Sequence, residues 1–163
     1  MPIDPVNHSE PQQSLAISPG PSRCRLLVWE RSGAWAAGLR AALQSESQVV
    51  AKPIELRHQD EVEEILAASP ASLLLIEFTA ANLGERIAWL ASVRRRWPEA
   101  VAIAVAERGL SPWQPVVREA GAEAWIESPT QLAGVARMAR RQWRRYPPPL
   151  PDLRTAWRER LPW

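Results

Sequence analysis

Residues 73–76, Leu-Leu-Leu-Ile, form the most apolar run in the chain, with Pro70 just before them and the loop Phe78 to Leu83 just after. Four consecutive aliphatic residues between turn signals fit a strand covered on both faces, and such strands belong to parallel sheets with helices above and below. Working outward, Ile87, Leu90, Ala91 and Trp97 recur at helical spacing and predict a helix that stops before Pro98. On the other side, Val62, Ile65 and Leu66 predict a helix that Pro70 closes, with Asp60 and Glu63 spaced as in a capping box. Val49 to Leu56 predicts a weaker strand, placed at an edge because Lys52 and Pro53 interrupt it. Leu26 to Trp29 predicts the first strand, followed by a helical stripe of Trp35, Ala36, Leu39 and Leu43. Toward the C-terminus, Val101 to Val105 predicts a fourth strand. Ser111-Pro112 then reads as an N-cap with proline at the first helical position, and Trp113, Val116, Val117 and Ala120 as the inner face of the helix it starts. Gly121 stops that helix, Ala124-Trp125-Ile126 predicts a fifth strand, and Leu132, Val135, Ala136, Ala139 and Trp143 line the last helix. Five strands alternate strictly with five helices, which argues for a three-layer α/β domain.

The composition agrees with one soluble domain. The chain has 163 residues, 46% of them hydrophobic, and 20 Lys+Arg against 18 Asp+Glu. A single cysteine, Cys24, excludes an internal disulfide, and with only His8 and His58 as imidazoles a structural zinc site is not expected. The longest uncharged run of the body, Ile65 to Ile76, is 12 residues and too short to span a membrane. Residues 1–22 show no basic start followed by an apolar core, so a cytoplasmic location without membrane partners is expected. Residues 1–22, rich in Pro, Ser and Gln, read as a disordered leader, 23–146 as the domain, and 147–163 as a Pro-rich linker and short basic amphipathic tail.

Over 23–146 the chain resembles the receiver domain of bacterial two-component response regulators, the CheY-like family. Three stretches carry the resemblance: Leu26 to Leu43, Arg94 to Ala106, and Arg118 to Leu132. In the last, Gly121-Ala122, Trp125 and Ser128-Pro129 stand where receivers commonly have Gly-Ala, an aromatic residue and Lys-Pro. The resemblance implies a flavodoxin/CheY-like (βα)5 fold with strand order 2-1-3-4-5 and a crevice at the carboxyl ends of the strands. It also implies five positions for phosphoryl chemistry: an acidic pair for Mg²⁺, a phosphoaccepting Asp, a Ser/Thr and a Lys. Here they are Glu30-Arg31, Glu77, Ala106 and Ser128, and none keeps the usual residue.

The physical consequences follow from those substitutions. Arg31 removes a hard oxygen ligand and adds a repelling charge, so Mg²⁺ binding should fail. Without metal or lysine little remains to neutralise a transferring phosphoryl group. No catalytic residue, metal or cofactor is therefore expected, and residual phosphotransfer at Glu77 is the enzyme alternative. Two readings stand side by side: a decayed site in which Glu77 points to solvent, or an expected pair in which the Arg31 guanidinium meets Glu77 in place of the metal. Trp125 occupies the switch-aromatic position, where a packed core or rim role is expected because Ala106 has no hydroxyl to trigger a rotation.

Arg137, Arg140, Arg141, Arg144 and Arg145 fall on one face of the last helix, opposite its apolar stripe. In receivers this region binds partners, so these residues, with Trp157 of the tail, are the partner-binding candidates; the equal alternative is a solvated helix face whose C-terminal cations suit the macrodipole. Leu153, Trp157 and Leu161 recur at four-residue intervals, enough for one short amphipathic helix that folds back or docks into a groove. Residues 137–163 hold eight Arg against Asp152 and Glu159, so the near-neutral total conceals an acidic body and a basic end. The combined expectation is a degenerate receiver-like, phosphorylation-independent signalling and interaction module with protein partners or itself. The alternative is a nucleic-acid-associated protein using the basic helix and tail. No phosphate-binding glycine loop or nucleophile–base set is present.

Overall fold

The computed structural model describes residues 24–44 and 52–147. Five strands, β1 (Leu26–Trp29), β2 (Ile54–Leu56), β3 (Leu73–Phe78), β4 (Val101–Ala106) and β5 (Ala122–Ile126), form one parallel sheet in the order β2-β1-β3-β4-β5. Five helices, α1 (Ala34–Gln44), α2 (Gln59–Ala68), α3 (Leu83–Arg96), α4 (Gln114–Ala120) and α5 (Leu132–Arg145), cover both faces, and the first four supply the crossovers. The expected three-layer (βα)5 architecture is what the chain adopts, with β3 in the middle of the sheet. The leader and the tail beyond residue 147, including Trp157, lie outside the described residues, as does the start of the expected second strand, Val49 to Ala51.

Alternation along β3 divides the core. Leu74, Ile76 and Phe78 join Trp29, Val62, Leu66, Trp89, Leu90 and Val117 on the side of α2, α3 and α4. Leu73 and Leu75 join Leu26, Val28, Leu39, Val135, Ala139 and Trp143 on the side of α1 and α5. A strand buried on both faces has no polar position to spare, hence the continuous aliphatic run. Cys24 is buried in the second cluster, and desolvation pushes its thiol up to about 11.

Several local expectations are corrected. The carboxylate that closes the start of α2 belongs to Glu61, whose Oε2 accepts the amides of Arg57 (3.0 Å) and His58 (3.1 Å); the N-cap position is His58, not Asp60. Glu63 instead accepts the Trp89 indole N–H at 2.8 Å and pairs with Arg96 at 2.7 Å. In α3 the buried face is Arg86, Trp89, Leu90 and Val93, continuing to Trp97, while Ile87 and Ala91 are half-buried. Trp89 and Val93 bury more apolar surface than Ile87 and Ala91, so the helix rotates them inward.

The segment before α4 is a 3-10 turn, Ser111–Trp113, so Ser111 lies inside the turn and does not cap a helix. Residues three apart eclipse in a 3-10 turn, and the tighter winding swings Trp113 and Val116 away from the core. They are 46% and 42% exposed, and Val117 is the buried anchor of α4. Gly121 ends α4 at φ +129°, a conformation that L side chains rarely adopt. In β5, Glu123 is an extra residue between the Ala102–Ala122 and Ile103–Ala124 pairs.

Candidate functional site

The carboxyl ends of β1, β3 and β4 bring Glu30, Arg31, Glu77 and Ala106 to one end of the sheet. Glu77 pairs in register with Val105, and Phe78 with Ala106. Ala106 is buried and offers no polar atom.

Glu30 follows β1 on the parity of Leu26 and Val28, which points it toward the α1 side. Its carboxylate is almost fully buried and accepts the amides of Trp35 (Oε2, 2.9 Å) and Ala36 (Oε1, 2.7 Å). An anion on the free N–H groups of a helix start is favoured by hydrogen bonding and by the helix dipole. The Ser32 hydroxyl sits 3.4 Å from the same Oε2 and accepts the Ala34 amide at 3.2 Å. Gly33, at φ +82°, makes the turn that lets the chain pass from strand to helix in so few residues. The acid that the resemblance assigns to metal binding is therefore engaged as the N-terminal anchor of α1.

Glu77 is half-buried, and its Oε2 accepts the backbone amide of Arg31 at 2.8 Å. The expected Arg31 guanidinium–Glu77 ion pair is corrected accordingly. The two residues do meet, but through the main chain, since the described ion pairs are Arg40–Glu55, Arg57–Glu55 and Arg96–Glu63. An amide on the turn reaches the carboxylate without the entropy cost of ordering an exposed arginine side chain.

The buried cation beside the site is Arg86 in α3, which the sequence did not single out. Its guanidinium lies on the indole of Trp29, with Cζ 2.9 Å from the ring centroid. Trp29 packs edge-on against Trp89 at 4.8 Å and donates its indole N–H to the Arg57 carbonyl at 3.1 Å. Desolvation pulls the Arg86 pKa down to about 10, while the charges of Glu85 and Glu77 hold it up. Its Nε and Nη1 are buried without a hydrogen-bond partner. Asn82 completes this corner: its Oδ1 accepts the Thr79 amide at 2.8 Å and its Nδ2 donates to the Glu77 carbonyl at 3.2 Å. An arginine four residues before Leu90, at the edge of the expected apolar stripe, was the signal for this cluster.

Ser128, at the lysine position, caps the 3-10 turn Pro129–Gln131. Its hydroxyl accepts the Thr130 amide at 3.4 Å, while Gln131 Oε1 accepts the amides of Glu127 and Ser128. The Ser-x-x-Gln spacing of 128–131 is a capping box that could have been read from the sequence. Trp125 is half-buried, tilted against Phe78 at 6.3 Å, and donates its indole N–H to Glu127 at 2.9 Å.

On α5, Arg137, Arg141, Arg144 and Arg145 are exposed, and Arg140 is half-buried and engaged with a neighbour. Arg145 also lies 5.2 Å from the Tyr146 ring. A cleft of about 320 Å³ lies away from all these groups, lined by residues that include Leu90, Val93, Arg94, Arg118 and Gly121. Among the described residues no three His, Cys, Asp or Glu stand together as a metal site, and no helix is long and apolar enough to cross a membrane.

This architecture is that of the CheY-like receiver fold. The chain is similar to a response regulator from Thermotoga maritima, at 14% identity and a TM-score of 0.60, over 74% of this chain and 97% of that one. It is also similar to a CheY-like protein, TadZ, from Pseudomonas aeruginosa, at 18% identity and a TM-score of 0.57, over 72% and 93% of the two chains. A putative pilus assembly-related protein from Burkholderia pseudomallei matches at 18% identity and a TM-score of 0.54, over 74% and 90%. No family model and no curated protein matches the sequence.

Proposed function

We propose that this chain is a receiver-fold interaction module that works without phosphorylation, and that its partner surface is the arginine face of α5. The carrying observation is that the pocket carboxylates are already committed inside the chain. Glu30 holds the amides of Trp35 and Ala36, and Glu77 holds that of Arg31. A carboxylate bound to helix amides is a poor metal ligand; Ala106 lacks the hydroxyl and Ser128 lacks the positive charge that phosphoryl transfer needs at those positions. What remains available for a partner is a cationic surface, because α5 exposes Arg137, Arg141, Arg144 and Arg145 and carries no acid along its fourteen residues. Guanidinium groups in that number suit carboxylates presented by another protein. Residues 23–146 would form the module, with 1–22 and 147–163 as its appendages.

The test is incubation with acetyl phosphate and Mg²⁺, followed by intact-mass measurement and affinity capture, for wild type and Arg141→Glu/Arg144→Glu. The expected result is no phosphoryl mass gain, a captured set unchanged by the phosphodonor, and loss of that set in the variant. A mass gain abolished by Glu77→Gln, or capture indifferent to the two arginines, would overturn the proposal.

A further inference from the structure

α2 and α5 lie on opposite faces of the sheet and carry opposite charge. The ten residues of α2 include Asp60, Glu61, Glu63 and Glu64 and no cation; α5 is the reverse case. On α2, Val62 and Leu66 face the core, so Asp60, Glu64, Ala67 and Ala68 fall on the outer face, and all four are exposed, as is Glu61. Glu61 stays ionised while it closes the helix, because the Arg57 and His58 amides hold its carboxyl below the ordinary range. Glu63 is taken by Trp89 and Arg96 and is not counted.

The two outer faces are laid out in opposite senses. On α2 the acids occupy the N-terminal half and Ala67 and Ala68 the C-terminal end. On α5 the small residues Ala133 and Gly134 come first and Arg137, Arg141, Arg144 and Arg145 follow. Set antiparallel, the acids of one helix meet the arginines of the other, while alanines meet Ala133 and Gly134. Small side chains at one end let the axes approach, since interhelix distance follows the side chains at the contact. Residues four apart on either helix are separated by about 6 Å along the axis, so Asp60 and Glu64 match the spacing of Arg137 and Arg141.

We propose that α2 of one copy docks on α5 of the next, so that the chain's partner is a second copy of itself. This names the partner for the α5 surface and rests on the reading of that surface given above. The two patches differ and face away from each other, so the contact is heterologous and leaves a free α2 at one end and a free α5 at the other. Such a contact grows into an open chain of copies and does not stop at a closed dimer. Exposed ion pairs are individually weak and screened by salt, so assembly rises with protein concentration and fades at high ionic strength.

Sedimentation velocity on the full chain provides the test, at about 20 mM and about 500 mM salt, where the Debye length falls from roughly 20 Å to roughly 4 Å. One variant, Arg137→Gln/Arg141→Gln/Arg144→Gln, lacks the α5 patch, and the other, Asp60→Asn/Glu64→Gln, lacks the α2 patch. Wild type is expected to sediment faster with increasing concentration in low salt and as a monomer in high salt. Each variant alone is expected to be monomeric, and an equimolar mixture to give a discrete one-to-one dimer, since one variant keeps α2 and the other keeps α5. That recovery excludes misfolding as the cause of either loss. A monomeric wild type in low salt, assembly by either variant alone, or a mixture without dimer would overturn the inference. A single-stranded oligonucleotide added in low salt provides a further outcome: dissolving the wild-type assembly supports competition for α5, and binding with the assembly intact counts against α5 as the docked face. If wild type is monomeric yet the arginine variant loses other captured proteins, self-docking fails and α5 stands as a partner surface.

Discussion

Replacing Glu30 with Ala isolates the energetic role of a carboxylate that would otherwise be assigned to a pocket. In wild type both carboxylate oxygens are used, Oε1 by the Ala36 amide at 2.7 Å and Oε2 by the Trp35 amide at 2.9 Å. A hydrogen bond to a charged group contributes about 1.5–3 kcal/mol, and removing the acceptor strands a donor that burial denies to water. Ala36 is fully buried, so its amide has no substitute, whereas Trp35 is half-buried and finds some compensation. Taking one full bond and part of a second, the loss is about 3 kcal/mol, above the usual range for an N-cap because the group is buried and charged. With a urea slope of about 1.5 kcal/mol per molar, the unfolding midpoint should fall by about 2 M. Glu30→Gln keeps one carbonyl oxygen and should lose roughly half as much. The assay is urea unfolding followed by far-UV circular dichroism for the three proteins. A raised midpoint in Glu30→Ala would refute the reasoning outright, because it would mean that Glu30 faces Glu77 and is destabilised by like charge.

Arg86→Met should be neutral or stabilising by about 1 kcal/mol in the same urea assay, because a buried guanidinium with two unpartnered nitrogens is exchanged for an apolar chain of similar length. A loss of more than about 2 kcal/mol would show that the contact with Trp29 outweighs the desolvation. Glu63→Gln should flatten the acid side of the stability profile measured by thermal unfolding. The Trp89 indole and then Arg96 hold this carboxyl below its ordinary 4.5, so its contribution is present above that value and is lost as pH falls through the depressed one. Equal slopes below pH 4.5 in wild type and variant would contradict that assignment.

The central strands were legible as short apolar runs between breakers, and Leu73 to Ile76 shows why: all four positions are buried, so none is left for a polar residue. The stripe of α5 was equally plain, since Leu132, Val135, Ala136, Ala139 and Trp143 are all buried. Legibility failed where two stripes compete on one helix, as in α3, or where a 3-10 turn changes the winding, as at Trp113. It failed again at the candidate site. The positions of Glu30, Arg31, Glu77, Ala106 and Ser128 could be counted along the chain, but their partners could not.

The sequence by itself determined the order of elements, the middle place of β3 and the arginine-rich, acid-free character of the last helix, because periodicity and breakers act over a few residues. Tertiary structure alone decided that Glu30 anchors α1, that Glu77 takes a backbone amide, and that Arg86 lies buried against Trp29. It also decided that an acidic helix and a basic one face outward from opposite sides of the sheet. Each of those outcomes depends on groups far apart in the chain meeting at a specific distance. Residue type fixes what a side chain is able to bind, and only the packed backbone fixes which partner comes within reach.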